Sequence, residues 1–499
     1  MSNLPLLSLL IFAPWVFALI LALSPKLGRT FALVGSLNTL VLGLVALTHF
    51  DPAAGLQFVE RHNWIEPLNI TYHLGLDGMS LLLVLLTGII APIALLASWN
   101  EKRDTRLFGA LFLVLQGAAL GVFLALDFFP WFICWELSLV PAYFLIRLWG
   151  GPRATAAAYQ FVIYTIGGSV FMLAAFAALY ASTGTLNFTE LAALRANGAL
   201  DAALSPTLAT VVFAGVLIGL AVKVPLFPFH TWLPATYAEA PTGASMFLTG
   251  VMSKMGVYGF LRILWPLFPA QLQAWATPLL WLALAGVVLG AFAALVQRDL
   301  KRVIAYSSVN HLSYCLLALF AVASAPGSNP AAATAALNGT LLQMFNHGLS
   351  AAALFACIGM LETRNGGRRG LHDFGGVRTA LPVFAGFCGV ALFSSLGLPG
   401  LNGFVGEFLI FRGVFGFAPV VTAIATLGLL ATALFLLTLW QRVFHGPTRG
   451  DVASFAPLAA SEKLTLIPLV VLMFLFGILP QLLIGLVNPL VTTWALNLP

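Results

Sequence analysis

Long apolar stretches recur along this chain from one end to the other, and their length constrains the fold more than anything else in it. A helix rises about 1.5 Å per residue and the hydrocarbon core of a bilayer is about 30 Å thick, so an apolar run of roughly 18 residues reads as a crossing. Such windows fall near 4–23, 30–49, 76–98, 107–126, 128–148, 158–181, 207–230, 242–265, 274–296, 302–323, 337–361, 380–412, 416–440 and 464–486. The composition agrees, with 60% apolar and 8% charged residues, against roughly 25% charged in a soluble globular domain. The expected class is an all-α integral membrane protein of about fourteen transmembrane helices. Connections are short, and only 50–75 and 182–206 leave room for a hairpin or a surface helix.

The net charge of +6 is a matter of topology and implies no nucleic-acid partner. Loops after odd-numbered spans hold 17 of the 23 Lys and Arg, and loops after even-numbered spans, counted generously, hold Arg61, Arg195, Arg262 and Arg412. Cytoplasmic loops are enriched in these residues, so both termini are expected on the non-cytoplasmic side of a cell inner (plasma) membrane. The same alternation makes the long window at 380–412 one broken helix, because two crossings there would put the Arg442–Lys463 loop on the wrong side. Cys134, Cys315, Cys357 and Cys388 lie singly in apolar stretches, without metal-ligand or redox spacing. The first apolar span follows a few uncharged residues, with no basic segment or small-residue cleavage site, and reads as no removable signal.

Ionisable groups occur where the membrane disfavours them, at roughly 2.5–3.5 kcal/mol each at mid-bilayer. They are Glu136 in span five, Lys223 in span seven, Lys254 in span eight and Glu407 in span twelve. Span ten adds Ser307, Asn310, His311 and Tyr314 at i, i+3, i+4 and i+7, and span eleven adds Gln343, Asn346, His347 and Ser350 at the same spacing. A structural ion pair would account for one acid and one base, and a lone histidine is commonly a satisfied core residue. Charges on four helices beside two polar stripes favour a hydrated interior and a relay. Dehydration brings lysine and carboxyl groups toward neutrality, where imidazole already titrates, so the chemistry suits protons.

Lys223 precedes Val224, Pro225 and Pro228, and Glu407 follows Gly397, Pro399, Gly400 and Gly403, so spans seven and twelve should unwind beside their charges. The two spans are five apart, which inverts one unit relative to the other, the pattern of a transporter built from inverted repeats. The expected division is 1–106 for spans one to three, 107–265 and 266–440 for two inverted five-helix repeats, and 441–499 for span fourteen. Phosphate-cradling glycine loops, dinucleotide fingerprints and haem-attachment motifs are missing, so the driving energy should come from an ion gradient or from partners.

The strings FFPWFICWELSLVPAYFLI, KVPLFPFHTWLPATYAEAPTGASMFLTGVMSKMGVYGFLRI, RDLKRVIAYSSVNHLSY, QMFNHGLSAAALF and LGLPGLNGFVGEF resemble the antiporter-like subunits of proton-pumping NADH:quinone oxidoreductase, respiratory complex I. They cover most of residues 70–440. The resemblance implies fourteen helices with two inverted repeats and a translocase subunit without a redox centre or cofactor of its own. NADH, FMN, iron–sulfur clusters and quinone then belong to partner subunits, and the partners are neighbouring membrane-arm chains, the lipid bilayer and protons. By the same resemblance, an acidic residue in broken helix twelve is typical of the branch usually called chain M, or subunit 4, whereas the sister chains generally carry lysine there; Glu407 favours that branch.

By the same resemblance, Glu136 pairs with Lys223 to gate proton loading, Lys254 is the central lysine, His311 and His347 are relay groups, and Glu407 is the terminal exchange group. His230, in FPFHTWLP, is structural or peripheral. Two rival readings follow from the same residues. One is a subunit of a multisubunit sodium/proton antiporter, which Glu407 disfavours. The other is a passive membrane scaffold of a redox complex whose buried charges are structural pairs.

Overall fold

The computed structural model describes residues 4–496 and is helical almost throughout. Among the described residues, twelve helices are long and apolar enough to cross a bilayer. Two further apolar stretches are helical but interrupted: span eight, over 242–267, and span twelve, which is split into Pro382–Ser395 and Asn402–Phe415. Spans ten (Leu300–Ser324, 94% buried) and eleven (Pro330–Arg364, 100% buried) form the centre, while span fourteen (Ala460–Ile478, 28% buried) lies at the rim. The centre is therefore screened from lipid on all sides, which is where a polar stripe is tolerated.

One end of the bundle carries a β-hairpin and the other the Lys- and Arg-rich loops. The hairpin pairs β1 (Gln57–Ile65) with β2 (Ile70–Leu76), turning at Glu66–Leu68 with Asn69 left-handed at φ 48°. Glu60 projects from β1 to accept from Leu7 N at 2.7 Å, so a carboxylate satisfies free N–H groups where span one begins. The 182–206 connection holds a surface helix, Phe188–Ala196, which Arg61 joins to the hairpin through Glu190.

Spans fourteen and eight differ from the sequence reading. Span fourteen stops at Ile478 instead of running to 486, and Gln481–Leu496 forms a separate helix after Pro480. That helix packs at the hairpin end, with Asn488 Oδ1 accepting from Asn338 Nδ2 at 2.8 Å. Arg262, counted above as a loop residue, lies inside span eight, where Nη2 donates to Asp77 Oδ2 at 2.6 Å and Nε to Tyr258 Oη at 3.1 Å. Span eight is not a regular helix, because π turns occupy Leu248–Met252 and Phe260–Leu264.

Candidate proton relay

The interruptions position the polar side chains. In span five Pro141 has no N–H for the Leu137 carbonyl, and the helix breaks at Ser138 between Phe128–Leu137 and Leu139–Trp149. Glu136 sits beside that break. Span seven ends its first half at Lys223 because Pro225 and Pro228 cannot continue the ladder, and it resumes only at Leu233–Glu239. Trp232 Nε1 donates to the orphaned Val222 carbonyl at 3.0 Å. A lysine at the C-terminal end of a half-helix faces the negative end of its dipole. Lys223 Nζ also lies 4.8 Å from the centroid of the Trp135 ring and 3.4 Å from Ser138 Oγ, to which it donates.

The expected Glu136–Lys223 contact is not formed. Glu136 Oε1 is buried without a hydrogen-bond partner, and among the described residues no ion pair joins it to Lys223. Across the kink, Ser138 and Trp135 are the side chains of span five that lie against the lysine. His230, within the span-seven break, stacks on Phe227 at 5.3 Å with Nδ1 unpartnered, apart from the other candidates.

Four candidates meet at the centre. The π turn in span eight sends Ser253 N to Leu248 O at 3.0 Å, which frees the Thr249 carbonyl from Ser253 N–H. Lys254 Nζ donates to that carbonyl at 2.5 Å and lies 2.8 Å from His347 Nδ1. The His347 and His311 rings stack with centroids 5.4 Å apart and planes inclined by 27°. His311 Nε2 then lies 3.3 Å from Glu407 Oε1. All four side chains are buried, Lys254 completely.

The break in span twelve supplies the far end of this line. In an unbroken helix Ser395 O would accept from residue 399, but Pro399 has no N–H. The freed carbonyl accepts instead from His311 Nε2 at 3.0 Å. Ser307 O lies 2.7 Å from His311 Nδ1, so each ring nitrogen faces a backbone carbonyl. Asn346 and Asn402 exchange backbone bonds across the break, with Asn346 Nδ2 donating to Asn402 O at 2.7 Å, and Gln343 Nε2 reaches Glu407 Oε1 at 3.4 Å.

Asn310 takes no part, despite its place in the stripe. Its Nδ2 donates to Val287 O at 2.6 Å and its Oδ1 accepts from Thr432, tying span ten to spans nine and thirteen. The Ser138 hydroxyl and the Thr249 and Ser395 carbonyls were missed by the sequence reading. Pro399 marked the last of them, whereas nothing around Thr249 announces a π turn.

Residues 125–434 match the family described as NADH:quinone oxidoreductase/Mrp antiporter, TM, and residues 6–126 match NADH-ubiquinone oxidoreductase chain 4, amino terminus. NADH-quinone oxidoreductase subunit M of Rhodobacter capsulatus is 34% identical over 500 residues, covering 97% of this chain and 95% of its own. The chain belongs to the subunit M family. A chain of respiratory complex I from Thermus thermophilus superposes with a TM-score of 0.86 at 28% identity, covering 99% of this chain and 100% of that one. The fold also extends beyond subunit M, since the Mrp complex of Dietzia sp. has a chain at TM-score 0.82 and 19% identity, covering 99% and 97%.

Proposed function

We propose that this subunit M family member is a proton-translocating membrane subunit of NADH:quinone oxidoreductase, working through Glu136, Lys223, Lys254, His347, His311 and Glu407. The observation that carries the reading is the buried line from Lys254 Nζ through two stacked imidazoles to Glu407, with end contacts of 2.8 and 3.3 Å. Electron transfer takes place in partner subunits, which hold NADH, FMN, iron–sulfur clusters and quinone, while this chain supplies the path. The residues at 107–265 and 266–440 act as inverted halves, each with one broken helix, and the Lys- and Arg-rich loops face the cytoplasm with both termini opposite.

A change in the field of Glu136 alters the proton affinity of Lys223 and, through it, the occupancy of Lys254. Lys254 passes a proton to His347 along their hydrogen bond. Stacked rings share no such bond, so the step to His311 requires ring rotation or a bridging water. His311 then exchanges with Glu407, which releases the proton on the side of the termini.

Glu136→Gln and Lys223→Ala variants should assemble into the complex and lower proton pumping and coupled NADH oxidation together. Proton uptake and NADH oxidation are measured in proteoliposomes after assembly is checked on native gels. Full pumping in assembled variants would sink the relay, and pumping that required sodium would move the reading to a sodium/proton exchanger.

A further inference from the structure

We propose that the basic hollow at the end of span thirteen (Pro419–Phe444) binds the phosphate headgroup of an anionic phospholipid. The hollow, of about 350 Å3, lies among the Lys- and Arg-rich loops, and its charged or titratable lining is Arg442, Arg449, His372 and His445, with no carboxylate. Three arginines of these loops are matched: Arg364 forks onto Glu462 at 2.6 Å, Arg368 meets Asp451 at 3.2 Å, and Arg369 meets Glu239 at 2.7 Å. Among the described residues Arg442 and Arg449 meet no acidic partner. Asp373, close in sequence to His372, turns Oδ2 onto Gly370 N at 2.6 Å.

The floor of the hollow is built. Gly376 N donates to His445 O at 3.0 Å, locking the loop before span twelve to the loop after span thirteen. A Cβ at Gly375 would lie 2.7 Å from Pro447 O and 3.0 Å from Arg449 Cγ, so the arginine stem rests on a glycine that admits no side chain. Guanidinium groups fit phosphate oxygens bidentately, and basic pockets at this depth suit anionic headgroups.

The apolar surface below the arginines selects lipid over free phosphate. Leu427, Leu430, Leu434 and Leu437 are 50%, 59%, 48% and 37% exposed and form one stripe that ends at Gln441, in the lining of the hollow. Trp440 stacks on Phe444 at 4.5 Å and meets His445 edge-on at 5.6 Å, an aromatic at the depth where headgroups and chains meet. Exposed leucines are ordinary on a lipid-facing helix; a stripe of them leading to two unpaired arginines is a place for a headgroup and its acyl chains together.

Native mass spectrometry of the intact complex in mild detergent counts bound phospholipids. An Arg442→Gln/Arg449→Gln variant should retain one anionic phospholipid fewer than wild type, and an Arg442→Lys/Arg449→Lys control should keep it. After delipidation, phosphatidylglycerol should bind the glutamine variant roughly 30-fold more weakly than wild type, and phosphatidylcholine should bind both equally. Inorganic phosphate should not displace the lipid. Equal anionic lipid counts in wild type and the glutamine variant, displacement by inorganic phosphate, or a crosslink from position 442 to a neighbouring subunit that persists without lipid would each overturn the proposal. Loss of the lipid leaves the relay residues untouched, so the outcome is separable from that of the pumping test.

Discussion

The position of the Glu407 carboxylate depends on a glycine ten residues before it. Gly397 has φ +77°, a region that costs a residue with a side chain about 1–3 kcal/mol, and a Cβ there would lie 2.8 Å from Glu407 Oε2. Gly397→Ala therefore strains the backbone and pushes the carboxylate from its place 3.3 Å from His311 Nε2. The expected result is a complex with a lower thermal midpoint and fewer protons moved per NADH oxidised, read in proteoliposomes. An unchanged midpoint with unchanged stoichiometry would show that the loop absorbs the methyl group and that the close contact is incidental.

At the scale of elements, the hairpin is held by buried polar groups with opposite responses to pH. Asn187 Nδ2 lies 2.8 Å from His73 Nδ1 and 2.9 Å from Thr71 Oγ1, and Asp127 Oδ2 accepts from Thr71 Oγ1 at 2.8 Å. Burial lowers the His73 pKa below its ordinary 6.5 and raises that of Asp127 above 3.8; Asn187 and Glu190 oppose the first shift, Arg61 adds to it, and bonds from Phe129 and Thr71 oppose the second. For the histidine the unfolded state binds more protons, so its contribution is present above pH 6.5 and is lost as pH falls toward the lowered value. Asp127 has the reverse sign and acts at lower pH, from 3.8 up to its raised value. Comparing wild type with His73→Gln removes the Asp127 effect. The hydrogen-exchange protection of Ile70–Leu76, taken relative to the intrinsic rate at each pH, should fall in wild type between pH 7.5 and about 5.5 but stay flat in the variant, and equal slopes would refute the role of His73. Element types were legible wherever one residue carries a physical penalty. Pro225, Pro228 and Pro399 lack donors, and Lys223, Lys254 and Glu407 are costly in lipid, so breaks and interior faces could be read directly. The π turns at Leu248–Met252 and Phe260–Leu264 rearrange bonds without needing special residues, and the apolar run from 464 to 486 hides the stop at Ile478. The missing Glu136–Lys223 ion pair was out of reach for a related reason: the kink at Ser138 is legible from Pro141, but which side chains it sets against the lysine depends on packing.

For the whole molecule, one arginine ties the broken helix of span seven to the central spans. Arg369 donates through Nε to Asp299 Oδ2 at 2.7 Å, through Nη1 to Ala238 O at 2.6 Å and Glu362 Oε1 at 3.2 Å, and through Nη2 to Glu239 Oε1 at 2.7 Å. Lys301 completes the cluster, 2.7 Å from Glu362 Oε2 and donating to Ala240 O at 3.2 Å. Glu239 ends span seven, Asp299 caps span ten and Glu362 lies near the end of span eleven, so the helix carrying Lys223 is fixed relative to those carrying His311 and His347. Arg369→Gln leaves three carboxylates facing one lysine. Removing one member of a buried pair costs about 3–5 kcal/mol, and the 13% exposure of the arginine sets the expectation at about 3. Arg369→Lys should fall between, because an ammonium reaches one carboxylate where the guanidinium reaches three. The thermal midpoint of the assembled complex should follow the order wild type, Lys, Gln. If the three midpoints coincide, the spans are held in register by apolar packing alone and the cluster is a solvated by-product of the fold.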